Sequence, residues 1–251
     1  MLPKLLKQDF KESIKTWIIC TAVLSVLFIA IYTAASSMSR GSILVEQFFT
    51  MFATIVPLIF VITTASKLVS AQIDDGSFFM VMVSNYKRSQ IIVTKIVYYL
   101  TSILAMHLVL LLTSVIMVSA KPMDLLSAED VLLLNLYCFL ITAAVSAICF
   151  FASVFFNTKK NATLLGTGFP LVSYLLYTLA HMFTNIPNLD EQPFIQALAN
   201  LKYVSIYSLF DFQLITERSS WLILIGILLV AFSAGTYAAS AIVFRKKDLP
   251  L

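Results

Sequence analysis

Few residues in this 251-residue chain have both the type and the spacing to do covalent chemistry. His107 and His181 stand apart, with no spaced carboxylate and no second ligand, so they build neither a metal hydrolase nor a base-activated nucleophile. They read as helix-packing histidines. Cys20, Cys138 and Cys149 all fall inside apolar runs without metal-ligand spacing, and read as small buried side chains with no disulfide framework. The run Gly166-Thr167-Gly168-Phe169-Pro170 lacks the lysine of a G-x-x-x-x-G-K-[ST] phosphate loop, so no nucleotide site of that type is expected, and no cofactor bound by the chain itself.

The chemistry that remains is that of contact. Between two long apolar runs lies a polar stretch, Gln72 to Gln90, with an acidic pair (Asp74, Asp75), Gly76-Ser77, a short amphipathic segment opening on Phe78, Phe79 and Met80, and a basic pair (Lys87, Arg88). In such a handle the aromatic residues would anchor a soluble partner and the charges orient it. A plain connector between spans is the other reading of the same residues.

The elements that must hold this stretch follow from composition. Hydrophobic residues make up 60% of the chain, charged residues 12%, and mean hydropathy is +0.93, far from the about 25% charged of soluble domains. That is an integral membrane protein. Its apolar runs are continuous and not alternating, which excludes a β-barrel and leaves helices, the fold that satisfies every backbone amide within its own segment. The expected fold is all-α: a single transmembrane domain over residues 1–251 with spans at 17–35, 46–71, 91–119, 131–156, 162–183 and 221–244.

Residues 1–16 read as an interfacial helix, with Leu6, Phe10 and Ile14 on the apolar face and Lys4, Lys7, Lys11 and Lys15 on another, together with Asp9 and Glu12. A signal peptide is the weaker alternative, because the apolar run after Trp17 is too long. Pro57 should kink the second span, and Lys95 enters the third. Residues 193–216 predict one or two short amphipathic helices dipping into the outer leaflet, with Leu198, Leu201, Val204, Ser205 and Leu209 on one face. Ala231, Gly235 and Ala239 give the last span a small-residue packing face.

Charge sets the orientation. With both termini in the cytoplasm, Lys and Arg at 4, 7, 11, 15, 67, 87, 88, 95, 159, 160, 245, 246 and 247 lie inside, 13 of the 17 in the chain. The net charge of +4 is thus a matter of topology, with no nucleic-acid partner implied. No acidic or basic residue other than His107 lies at a span centre, which argues against a proton- or sodium-coupled carrier and suits an apolar or amphiphilic cargo. Energy must then come from a partner.

In this layout the chain resembles the membrane subunit of type-2 ATP-binding-cassette exporters. Gln72 stands where that family usually has its first acidic residue, Gly76-Ser77 replaces its Gly-Thr, Asn85 its proline, and Lys87-Arg88 and Lys95 follow in order. The ending Phe244-Arg245-Lys246-Lys247-Asp248-Leu249 is of the family's kind. The resemblance implies a cytoplasmic coupling helix at 72–90 contacting an ATPase subunit that binds ATP and Mg, and a second permease subunit, identical or related. It also implies residence in a bacterial cytoplasmic membrane and export of an amphipathic peptide such as a bacitracin-like antibiotic, a lantibiotic or a phenol-soluble modulin. A non-transport immunity factor or scaffold that binds peptide or lipid through Phe194 to Ile215 is the alternative, and an intramembrane enzyme the least favoured.

Overall fold

The computed structural model describes residues 2–38, 41–78, 86–122, 127–184 and 193–247. Six of its helices are long and apolar enough to cross a membrane: Leu5–Ala35, Gly41–Asp74, Arg88–Ala120, Ala128–Phe155, Lys159–Phe183 and Trp221–Lys246. They match the six predicted runs in number and order, and no strand occurs among the described residues. The chain is an all-helical, multi-pass membrane protein.

The first helix, α1 (Pro3–Ala35), is unbroken, which corrects the boundary expected at residue 16 between a surface helix and a span. From Lys4 to Ala35 there is no proline or glycine, so nothing in the backbone stops the helix at Thr16. Its buried stripe of Leu5, Asp9, Ser13, Cys20, Leu24, Phe28 and Tyr32 runs in one helical register through the whole rod. The turn after it depends on Gly41, where a Cβ would sit 2.0 Å from the carbonyl oxygen of Ala35.

The second span is built of pieces: α2 (Gly41–Gln47), a π turn (Phe48–Phe52), α3 (Ala53–Leu68) and α4 (Ser70–Asp74). Pro57 lies inside α3, while the hydrogen-bond ladder widens just upstream, where the amide of Ala53 donates to the carbonyl of Phe48. A second break falls at Val69 (φ −132°, ψ −66°). There the amide of Ser70 donates instead to Ser153 Oγ at 3.1 Å, so that donor is satisfied across the helix interface.

The remaining spans are α5 (Arg88–Ala120), α6 (Ala128–Phe155), α7 (Lys159–Thr184) and α10 (Trp221–Lys246). Helix α6 is the axis of the bundle, with α3, α5, α7 and α10 all packed on it. Its buried run Ala143-Ala144-Val145-Ser146-Ala147 is made of small side chains, which let neighbouring backbones approach from several sides where lipid supplies no hydrophobic drive. The same close packing brings Cys149 Sγ within 3.0 Å of the Gly166 carbonyl on α7.

Residues 193–216 form α8 (Pro193–Asn200), two 3₁₀ turns (Leu201–Val204 and Ile206–Leu209) and α9 (Phe212–Thr216), more fragmented than the one or two helices expected. Asp211 caps α9 by accepting from the amides of Gln213 and Leu214 at 2.9 and 3.2 Å. Val204, expected on the inward face, is 71% exposed, and the anchors are Ser205, Tyr207, Phe210 and Ile215. Ser127 and Asp130 form a capping box that starts α6.

Candidate functional site

The polar stretch begins where α4 ends. The amide of Ser77 donates to Asp75 Oδ1 at 2.9 Å across Gly76, whose φ of +74° is a left-handed conformation that glycine adopts without strain. Hydrogen bonds from the Ser77 hydroxyl and amide, with Lys159 nearby, hold the exposed Asp75 carboxyl below the usual carboxylate range. Asp74 faces the turn between α6 and α7, its Oδ2 accepting from the Lys159 amide at 3.4 Å. Asp74 thus closes α4 and Asp75 lies exposed in the turn after it.

Phe78 is a correction. Expected on the contact face, it is 3% exposed and turned into the bundle, edge-on to Phe244 with ring centroids 5.7 Å apart and with Lys95 Nζ 5.9 Å from its ring centre. Phe79 and Met80, the other two expected anchors, lie outside the described residues, as does Asn85. On the far flank Lys87 is exposed at the start of α5. Arg88 is partly buried instead, its Nη1 donating to the Lys247 carbonyl at 3.0 Å. Lys247 in turn donates through Nζ to the carbonyls of Val154 and Phe155 at 2.6 and 2.8 Å, which caps the end of α6. Burial pushes its amine down to about 8.

Beneath the stretch lies a polar cluster that sequence reading did not find. Lys95 Nζ is 3.1 Å from Asp9 Oδ1, and both side chains are wholly buried. It also donates to Gln72 Oε1 at 3.0 Å. Gln72 Nε2 reaches Glu12 Oε2 at 3.4 Å, and Gln8 Nε2 reaches Glu12 Oε1 at 3.1 Å. Ser13 donates to the Asp9 carbonyl at 2.6 Å and bonds Tyr98 through the two hydroxyls. One lysine thus joins α1, α4 and α5 and carries the ring of Phe78 on its remaining side.

The residue types suit the place. Buried charges must be paired and hydrogen-bonded to survive desolvation, and Asp9 with Lys95 sums to zero. Gln72 fills a further acceptor position without adding a second buried negative charge. The available signal was the spacing of Leu5, Asp9 and Ser13 in register with Cys20, Leu24 and Phe28.

The other expected site residues are distributed as follows. Leu6 packs partly on the core and Ile14 is half-buried, but Phe10 is 53% exposed, and Lys7 and Lys11 are exposed. Asp9, expected among those lysines, faces the opposite way. On α10 the inward residues are Leu222, Leu229, Tyr237, Ser240 and Phe244, which leaves Ala231 and Gly235 exposed and Ala239 half-buried.

His107 is buried with Nε2 3.3 Å from Thr142 Oγ1 and its ring edge-on to Phe139, and His181 stacks on Tyr177. Among the described residues no group of three or more His, Cys, Asp or Glu side chains gathers as for a metal ion. All three cysteines are buried and free. The polar contacts of Lys95, Gln72 and His107 bridge neighbouring helices. Comparison with protein-family models finds no match for this chain, and comparison with curated proteins finds none.

Proposed function

We propose that the chain is the permease half of an ATP-driven exporter, with residues 72–90 as the coupling element that a separate ATPase subunit grips. The observation that carries this reading is the fastening of both flanks of the stretch. Gln72 and Phe78 are tied through Lys95 to α1 and α5, Phe78 and Arg88 to the end of α10, and Asp74 to the start of α7. A push on the stretch would reach four spans through contacts already made. Energy comes from ATP and Mg held by the partner; this chain binds neither and is not itself an enzyme.

The same reading places both termini in the cytoplasm of a bacterial cell, in its cytoplasmic membrane, because 13 of 17 basic residues then lie inside. The cargo is an apolar or amphipathic peptide toxin or antibiotic, matched to spans without unpaired charge at their centres. A second permease subunit packs along the outward Ala231 and Gly235 face of α10.

The test is a Phe79→Ala, Met80→Ala variant purified from the native host. Loss of a co-purifying ATP-hydrolysing protein, with the permease still monodisperse, is the expected result. Undiminished co-purification and transport would remove the coupling role. Absence of any ATPase alongside the wild-type chain, with peptide binding kept, would favour the immunity or scaffold alternative.

A further inference from the structure

The middle of the bundle contains a cavity of about 10 Å³, lined by Thr54, Leu58, Val61, Thr142, Val145 and Tyr207. All six lining residues are buried. Its volume lies at the lower limit for holding a single water. Tyr207 is 2% exposed, and its phenol oxygen has no hydrogen-bond partner among the described residues. A buried, unpaired hydroxyl beside a water-sized cavity calls for an explanation.

Proton counting supplies one. The Thr142 hydroxyl donates to the Cys138 carbonyl at 2.7 Å, so His107 Nε2, 3.3 Å from the same oxygen, is the donor to it. The Thr54 hydroxyl donates to the carbonyl of Phe49, inside the π turn, at 3.4 Å. Both threonine protons are thereby used, and each oxygen keeps a lone pair. Tyr207 keeps its proton. A ligand that donates twice and accepts once completes the set, and water does this.

A metal cation fits worse. It would meet three neutral hydroxyls and no carboxylate, whereas hard cations take about six to eight oxygens with charge among them.

We infer that this cavity binds one ordered water, donating to Thr54 Oγ1 and Thr142 Oγ1 and accepting from Tyr207 Oη. The water keys the 3₁₀ turn Ile206–Leu209 into the bundle. It joins that turn to the π turn of the second span through Thr54 and to His107 on α5 through Thr142. The site is independent of any ATPase partner.

Two measurements on the full-length protein decide it. A map of the wild-type chain that resolves ordered waters should show a peak about 2.7–3.2 Å from all three oxygens. A well-resolved cavity without that peak, or Tyr207 bonded straight to a threonine, overturns the assignment. The second is a thermal-melting cycle of Tyr207→Phe, Thr54→Val and both together. Each single change is expected to lower the melting temperature by about 2–4 °C. The double variant should fall by clearly less than the sum, because either change alone already disrupts the bridge. Strict additivity overturns the bridge. If a variant fails to fold, the wild-type map still decides.

Discussion

Lys95 holds Asp9 across the α1–α5 interface at 3.1 Å, with neither side chain reaching solvent. Removing one partner strands the other charge. Lys95→Met should therefore destabilise the protein by roughly 3–5 kcal/mol, and the double variant Asp9→Leu with Lys95→Met should recover most of that loss. Denaturant titration in detergent reads both. A single variant as stable as wild type would show that water reaches the pair.

Phe78 is a packing residue, and its substitution should report on folding before it reports on any partner. Phe78→Ala is expected to lose roughly 3–5 kcal/mol, and Phe78→Leu about half of that or less. The measurement is again unfolding of the isolated chain. If Phe78→Ala unfolds like wild type, its contacts with Lys95 and Phe244 do not hold this flank in place.

The two glycines at turns should respond differently. At Gly76 an added Cβ meets nothing within 4 Å, so Gly76→Ala carries only the left-handed strain, roughly 1–2 kcal/mol, and Gly76→Asn less. At Gly41 the added Cβ meets the Ala35 backbone, so Gly41→Ala should shift the chain and cost more than Gly76→Ala. Comparing the two melting temperatures tests the order.

Asp75 offers a pH prediction outside the membrane. Its folded carboxyl titrates below its ordinary value, so the stability it adds is complete above that value and is lost as pH falls through the lowered one. Ser77→Ala removes the hydroxyl that contributes most to the lowering, and should raise the Asp75 titration midpoint, read by carboxyl carbon NMR. An unchanged midpoint would assign the effect to the amide and Lys159 alone.

The six spans were legible because length and apolarity suffice to recognise them, and the Asp-Gly-Ser turn was legible from its residues. Inward and outward faces were not. In lipid an apolar residue is equally at home outside the bundle, so the apolar face of Leu6, Phe10 and Ile14 does not say which residues pack inward, and Phe10 is 53% exposed. The polar residues mark the inside instead, as Asp9, Ser13 and Lys95 do. Phe78 was misassigned for a related reason: an aromatic in a polar stretch reads as an exposed anchor until its neighbours, Phe244 and Lys95, are known. Since they lie 166 and 17 positions away, no local pattern reveals them.

The π turn at Phe48–Phe52 gives the second span one residue more than an α-helical turn would hold. Were that residue expelled and the ladder to close, everything beyond it would rotate by about 100° and advance about 1.5 Å relative to Phe48. Pro57, Lys67 and the break at Val69 would all change the neighbour they face. Closure of that turn would thus be a discrete step of rotation between Gly41 at one end of the span and Gln72 at the other.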